Sequence, residues 1–186
     1  MKTFPGIRFV FLDRDGVILR KRPEGEYVGH WSEAELLPGV AAAIAALQRS
    51  RRRVIVVSNQ RGVALGLYTR ADVEEVHRQL ELHLSAVGAH IDAFYFCPHD
   101  IGECNCRKPG TGMFEEAFRD FPEASPANGI VIGDSLSDIE AARALGMPSI
   151  LIEGDPSTRK DGVDRAAALA DAVAASLPEA IDEYLA

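Results

Sequence analysis

The sequence predicts an α/β fold: a doubly wound parallel sheet with helices on both faces. Three observations carry that expectation. Short apolar runs alternate with helix-length stretches of helical periodicity. The runs are apolar at consecutive positions, as in strands covered on both faces. Several of them also end in clustered polar residues, where open parallel sheets bind their ligands.

Ile7–Leu12 reads as a buried strand, and Gly39–Gln48 (GVAAAIAALQ) as an Ala-rich helix. Arg51–Arg53 reads as a solvated turn leading into a β-branched strand, Arg53–Val57. Thr69 can cap a long helix that runs to about Val87 and closes at Gly88. His77 and His83 on that helix read as surface residues. Ile91–Phe96 is a third strand, Gly112–Asp120 a short helix and Gly129–Ile132 a fourth strand. Leu136–Leu145 is a helix stopped by Gly146, Ser149–Ile152 a fifth strand, and two Ala-rich helical stretches finish the chain. No repeat or linker divides these elements, so residues 1–186 are expected to form one domain.

With 186 residues, 47% of them apolar and 26% charged, the chain can bury a core, and disorder is excluded. A net charge of −8 argues against nonspecific nucleic-acid binding. The acid excess falls entirely in residues 111–186, whereas residues 1–110 carry slightly more base than acid. Chance with an acidic tail accounts for this split as well as an anionic substrate does. No apolar run is long enough to span a bilayer, and Arg8 and Asp13 interrupt the stretch where a signal peptide would be apolar. Three cysteines are too few for a disulfide framework. A cytoplasmic monomer that binds neither membrane nor nucleic acid is expected.

The first strand delivers Asp13-Arg14-Asp15-Gly16 at its carboxyl end. Taken alone this is as readily a turn with two solvated acids as a site. If Asp13 attacks phosphorus it becomes an acyl phosphate, and Asp15 can protonate the leaving oxygen and then deprotonate water. Mg²⁺ suits such oxygen ligands and offsets their repulsion. Other strand ends favour the site. Ser58-Asn59 offers a hydroxyl and a backbone amide for phosphoryl oxygens. Arg107-Lys108-Pro109 brings cations, and Gly133-Asp134-Ser135-Leu136-Ser137-Asp138 brings further carboxylates.

These four motifs, in this order over roughly residues 8–152, resemble the haloacid dehalogenase (HAD) superfamily of aspartate-nucleophile phosphotransferases. The resemblance implies a Rossmann-like fold with Asp13 as nucleophile, Asp15 as general acid/base and Lys108 stabilising charge. It implies Ser58 and Asn59 on the phosphoryl group, and Mg²⁺ held by Asp13, Asp134 and the backbone carbonyl of Asp15. Asp138 would be an outer or occasional ligand. Asp15 argues for a phosphatase over a dehalogenase, because an alkoxide leaving group needs a proton.

Cys97, His99, Cys104 and Cys106 hold every thiol of the chain within ten residues. Three thiolates and an imidazole make a closed tetrahedral Zn²⁺ set, hence a structural site; free thiols or a redox pair are the alternative. Together with FLDRDGV and SNQRGV, the run CPH…CNCRKP resembles the capless, histidinol-phosphatase-like branch of the superfamily, which also contains heptose-1,7-bisphosphate phosphatases. That resemblance implies removal of the 7-phosphate of a heptose bisphosphate, with histidinol phosphate or another small metabolite as the alternative. From a different class, a noncatalytic receiver-like phosphoacceptor remains to be weighed. The sequence departs from the branch at Leu19-Arg20-Lys21-Arg22, at Arg61 and in its short zinc loop.

Asp15 and Ser58 lie too close in sequence to admit a cap domain. Substrate choice should then fall to loops at Arg20–Trp31, Arg61–Tyr68 and His99–Lys108. Arg107 matches a substrate-contacting position of the branch. Arg61 is either a second anion ligand or a solvated side chain. Tyr27 and Trp31 can wall the pocket, and Trp31 can equally be core.

Overall fold

The computed structural model describes residues 3–23, 25–158 and 161–185. Six parallel strands form one sheet: β1 (Phe9–Leu12), β2 (Arg53–Asn59), β3 (Ala93–Cys97), β4 (Gly129–Gly133), β5 (Ser149–Ile152) and β6 (Ala172–Ala174), in the order β3-β2-β1-β4-β5-β6. The connecting helices are α1 (Val40–Arg49), α2 (Arg70–Ser85), α3 (Gly112–Asp120), α4 (Leu136–Leu145), α5 (Val163–Leu169) and α6 (Leu177–Tyr184). This is the covered parallel sheet that the strand–helix alternation predicts, in the Rossmann-like arrangement that the family resemblance implies.

Consecutive apolar residues along each strand serve opposite faces. Val10, Leu12, Val54, Val56, Ile130 and Ile132 pack under α1, α2 and α6. Phe9, Phe11, Ile55, Val57 and Val131 pack under α3 and α4. Leu151 joins Ile139 and Ala166 in a smaller cluster between α4 and α5. All of these side chains are buried, which is why the strands read as continuous apolar runs.

Most expected elements stand within two residues of their predicted ends. Thr69 caps α2 through a reciprocal pair with Asp72, and Gly146 ends α4 in the left-handed conformation at φ 69°. The sixth strand is not expected from the sequence; Ala172–Ala174 follows the Ala-rich α5 and shares its composition.

His77 is a correction to the sequence reading. It is buried, stacked on Phe94 at 4.5 Å between ring centroids and edge-on to Phe96 at 5.7 Å. Burial pushes its pKa down to about 3, with the positive charge of Arg14 adding to the effect. His83 is exposed as expected, its ring 6.1 Å from that of Trp31. Trp31 itself packs against the core.

The topology brings the chemistry together. Strand order reverses between β1 and β4, which pair from Phe9↔Gly129 to Leu12↔Ile132. The Asp13 N–H continues the ladder by donating to the Ile132 carbonyl at 3.0 Å. Asp13 and Asp134 therefore leave adjacent strands side by side at the switch point, where such sheets bind ligands. Between Gly16 and Gly39 the one helical segment among the described residues is a single 3-10 turn, Trp31–Glu33, so no cap domain is inserted there.

Candidate active site

A cavity of about 410 Å³ opens over the carboxyl ends of β1, β2 and β4. Asp13, Asp15, Ser58, Asn59, Arg61, Arg107 and Lys108 all line it. Carboxylate oxygens of Asp13, Asp134 and Asp138 lie within 4.8 Å of one another. Gly16 makes this crowding possible: at φ 102° it turns the chain, and any side chain there would run into the Asp134 carboxylate.

Lys108 neutralises part of the cluster. Its Nζ lies 3.1 Å from Asp13 Oδ1 and 2.5 Å from Asp138 Oδ1, and donates to the Val57 carbonyl at 2.6 Å. Burial works against the ammonium, but the two carboxylates outweigh it and hold its pKa above the ordinary value. Asp138 is fully buried, and its Oδ2 accepts from the Ser135 N–H at 3.1 Å and hydroxyl at 2.5 Å, capping α4. Burial pushes Asp134 up to about 6; Lys21 opposes that shift, while Asp13 and Asp138 add to it. Lys21 pairs with Asp134 directly.

The other predicted residues fall into place around this cluster. Asn59 binds the Lys108 backbone at both ends of its amide: Nδ2 donates to the Lys108 carbonyl at 3.0 Å and Oδ1 accepts from the Lys108 N–H at 2.9 Å. Arg61 pairs with Asp100 at 2.6 Å, tying the loop after β2 to the loop after β3. The Nη1 of Arg107 is buried and has no hydrogen-bond partner among the described residues. Tyr27 lines the cavity beside Lys21, Arg22, Pro23, Gly25 and Glu26.

Cys97, at the end of β3, converges with His99, Cys104 and Cys106 of the loop that follows. Cys106 Sγ lies 3.2 Å from Cys97 Sγ, 3.3 Å from Cys104 Sγ and 3.3 Å from His99 Nδ1. Cys97 Sγ lies 3.5 Å from Cys104 Sγ and 3.6 Å from His99 Nδ1. Ligands 2.0–2.3 Å from a tetrahedral zinc are separated by roughly 3.5–3.8 Å; the four side chains lie somewhat closer than this and are compatible with such a set.

Three participants escape the sequence. Arg14, between the two acids of the first motif, is fully buried and pairs with Asp15 at 2.9 Å. Gln60 and Tyr68 join it through hydrogen bonds that only the fold brings together. Lys21 had a signal in the basic run after the first motif, though nothing there pointed to Asp134.

The Hydrolase_like (HAD-hyrolase-like) family model matches residues 105–180. A D-glycero-alpha-D-manno-heptose-1,7-bisphosphate 7-phosphatase from Mycobacterium bovis is 45% identical over 154 residues, covering 80% of each chain. The chain belongs to the HAD-like phosphatases. A D-glycero-beta-D-manno-heptose-1,7-bisphosphate 7-phosphatase of Rhodopseudomonas palustris is 40% identical to this phosphatase, over 78% of this chain and 83% of the relative. The crystal structure of D,D-heptose 1,7-bisphosphate phosphatase from B. bronchiseptica, complexed with magnesium and phosphate, superposes with a TM-score of 0.85 at 29% identity. That match covers 95% of this chain and 97% of the other. No helix among the described residues of the phosphatase is long and apolar enough to cross a membrane.

Proposed function

We propose that the phosphatase, acting as one cytoplasmic domain and a monomer, removes the 7-phosphate of D-glycero-D-manno-heptose 1,7-bisphosphate. The observation that carries the reading is the convergence of Asp13, Asp15 and Lys108 on one cavity, with Arg107 presenting an unpartnered buried N–H beside them. The names of the relatives supply the substrate.

Asp13 is the nucleophile: its carboxylate forms a bond to phosphorus as the ester bond breaks. Asp15 gives its proton to the leaving alkoxide, then takes one from the water that hydrolyses the aspartyl phosphate. Lys108, pinned between Asp13 and Asp138, balances the charge that gathers on the phosphoryl oxygens. Ser58 and Asn59 hold those oxygens. The crowded, all-oxygen donor set fits Mg²⁺: Asp13, Asp134 and the Asp15 main-chain carbonyl would hold it, with Asp138 behind them. When bound, the ion supplies charge neutralisation between carboxylates and phosphate. The Cys97–His99–Cys104–Cys106 set would hold a structural Zn²⁺ and so fix the loop that carries Arg107 and Lys108.

A bisphosphate brings a second dianion, which Arg107 meets, with Arg61 beside it. A charge-assisted contact of this kind contributes about 1.5–3 kcal/mol. Arg107→Ala should lower kcat/KM for heptose 1,7-bisphosphate roughly tenfold to a hundredfold, and far less for p-nitrophenyl phosphate. Asp13→Asn should abolish turnover of both with the fold intact. Histidinol phosphate, whose remote end is cationic, should be a poor substrate beside these arginines. Preferential turnover of histidinol phosphate would overturn the assignment, and a long-lived phosphoprotein without turnover would favour the receiver-like alternative.

A further inference from the structure

Behind the pocket lies a set of polar side chains that the reaction just described does not use. The fully buried Arg14 donates from Nε to Asp15 Oδ1 at 3.1 Å and from Nη2 to Asp15 Oδ2 at 2.9 Å. The two hydrogens of Nη2 are shared among Asp15 Oδ2, the Val28 carbonyl at 2.8 Å and Gln60 Oε1 at 3.1 Å. The Tyr68 hydroxyl donates to the same Gln60 oxygen at 2.9 Å. Burial pushes the Tyr68 phenol up to about 12, so it keeps its hydrogen.

Two donors on one amide oxygen fix which way the amide faces. The Nε2 end of Gln60 must then point at Ser58 and Asp15, and it donates to Ser58 Oγ at 2.8 Å and to Asp15 Oδ2 at 3.0 Å. One buried side chain thus touches both the hydroxyl that holds the phosphoryl group and the carboxylate that handles the proton. Tyr68 is itself keyed into place, since a Cβ at either Gly29 or Gly62 would collide with its ring.

We propose that Gln60, locked by Tyr68 and Arg14, is a positioning residue that sets the direction of the hydrogens at Ser58 and Asp15. This rests on the reading of Asp15 as the acid. Ser58 Oγ accepts from Gln60, so its own hydrogen is left to be donated to a phosphoryl oxygen. On Asp15, Oδ2 is taken by Gln60 and Arg14 Nη2, whereas Oδ1 accepts only from Arg14 Nε among the described residues. The transferable hydrogen therefore sits on Oδ1. In the first step the Oδ1–H bond breaks and the hydrogen passes to the ester oxygen. The P–O bond breaks with its electron pair going to that oxygen, and the Asp13–phosphorus bond forms.

The test is leaving-group dependence. A residue that acts through the acid matters for an alkoxide and much less for nitrophenolate, whereas general damage to the site slows both. kcat/KM, which reports transfer to Asp13, should be measured with heptose 1,7-bisphosphate and with p-nitrophenyl phosphate. Tyr68→Phe keeps the ring and should lower the heptose value about fivefold more than the nitrophenyl value, the effect of one hydrogen bond. Gln60→Leu should widen that gap to roughly tenfold or more. Added to Asp15→Asn, neither change should move the ratio further. Equal losses on both esters, or no loss, in a Tyr68→Phe protein that melts like wild type would overturn the proposal; that variant decides even if Gln60→Leu does not fold. If Asp15→Asn itself leaves the ratio at the wild-type value, the acid assignment fails instead.

Discussion

The double hydrogen bond between Asn59 and the Lys108 backbone makes Asn59→Ala an informative perturbation. Two contacts of 2.9 and 3.0 Å are lost, and the N–H of a residue that is only 3% exposed loses its acceptor. Each neutral hydrogen bond contributes about 0.5–1.5 kcal/mol, and an orphaned buried donor costs about 1–3 kcal/mol. The variant should therefore be destabilised by about 2–4 kcal/mol, a drop in Tm of roughly 5–15 °C for a chain of this length. Lys108 would lose the anchor that aims its ammonium at Asp13 and Asp138, so kcat/KM should fall by the same factor for alkyl and aryl phosphates. Thermal denaturation followed by far-UV circular dichroism, alongside kinetics on both esters, gives both numbers. A melting temperature within about 2 °C of wild type would refute the anchoring argument.

Other expectations address the core and the metal loop. His77 is held neutral, its folded pKa near 3 lying below the unfolded value near 6.5; its contribution is complete above pH 6.5 and is lost as pH falls toward 3. Between pH 7 and pH 5 wild type should lose about 2 kcal/mol more stability than His77→Leu in urea titrations, and parallel losses would contradict it. Cys106→Ser should reduce bound zinc, measured by atomic emission, from about one per chain, lower the Tm and slow turnover, because Lys108 lies two residues on. Full activity in zinc-free protein would separate the loop from catalysis.

How much of this was legible beforehand depended on whether a signal is local. The strand ends were, because RVIVV before Ser58 and GIVI before Gly133 are dense apolar runs that stop at polar residues. The cysteine–histidine set was legible because all four side chains lie within ten residues. His77 misled by its type: it shares the buried face of α2 with Val73, Val76, Leu80 and Leu84, and spacing rather than polarity was the better guide. Arg14 carries no sequence signal of its burial, since a cation between two acids ordinarily stays in water. The Gln60–Tyr68 contact spans a turn whose closure depends on two glycines fitting around a ring, which no pairwise pattern encodes. β6 has only three residues and the composition of the helix before it, so its partner β5, not its sequence, makes it a strand.

The two oxygens of Asp138 carry a consequence for how this enzyme can change. Active-site charge usually weakens a fold, so selection for robustness tends to erode it. Asp134 obeys that tendency, being crowded by like charges. Asp138 does not, because the carboxylate that faces Lys108 with one oxygen closes the first turn of α4 with the other. A library of random variants sorted for heat resistance alone, with no demand for turnover, would discard acidic character at Asp134 and retain Asp138. A carboxylate that faces the proposed site would thus persist in descendants that had lost the reaction.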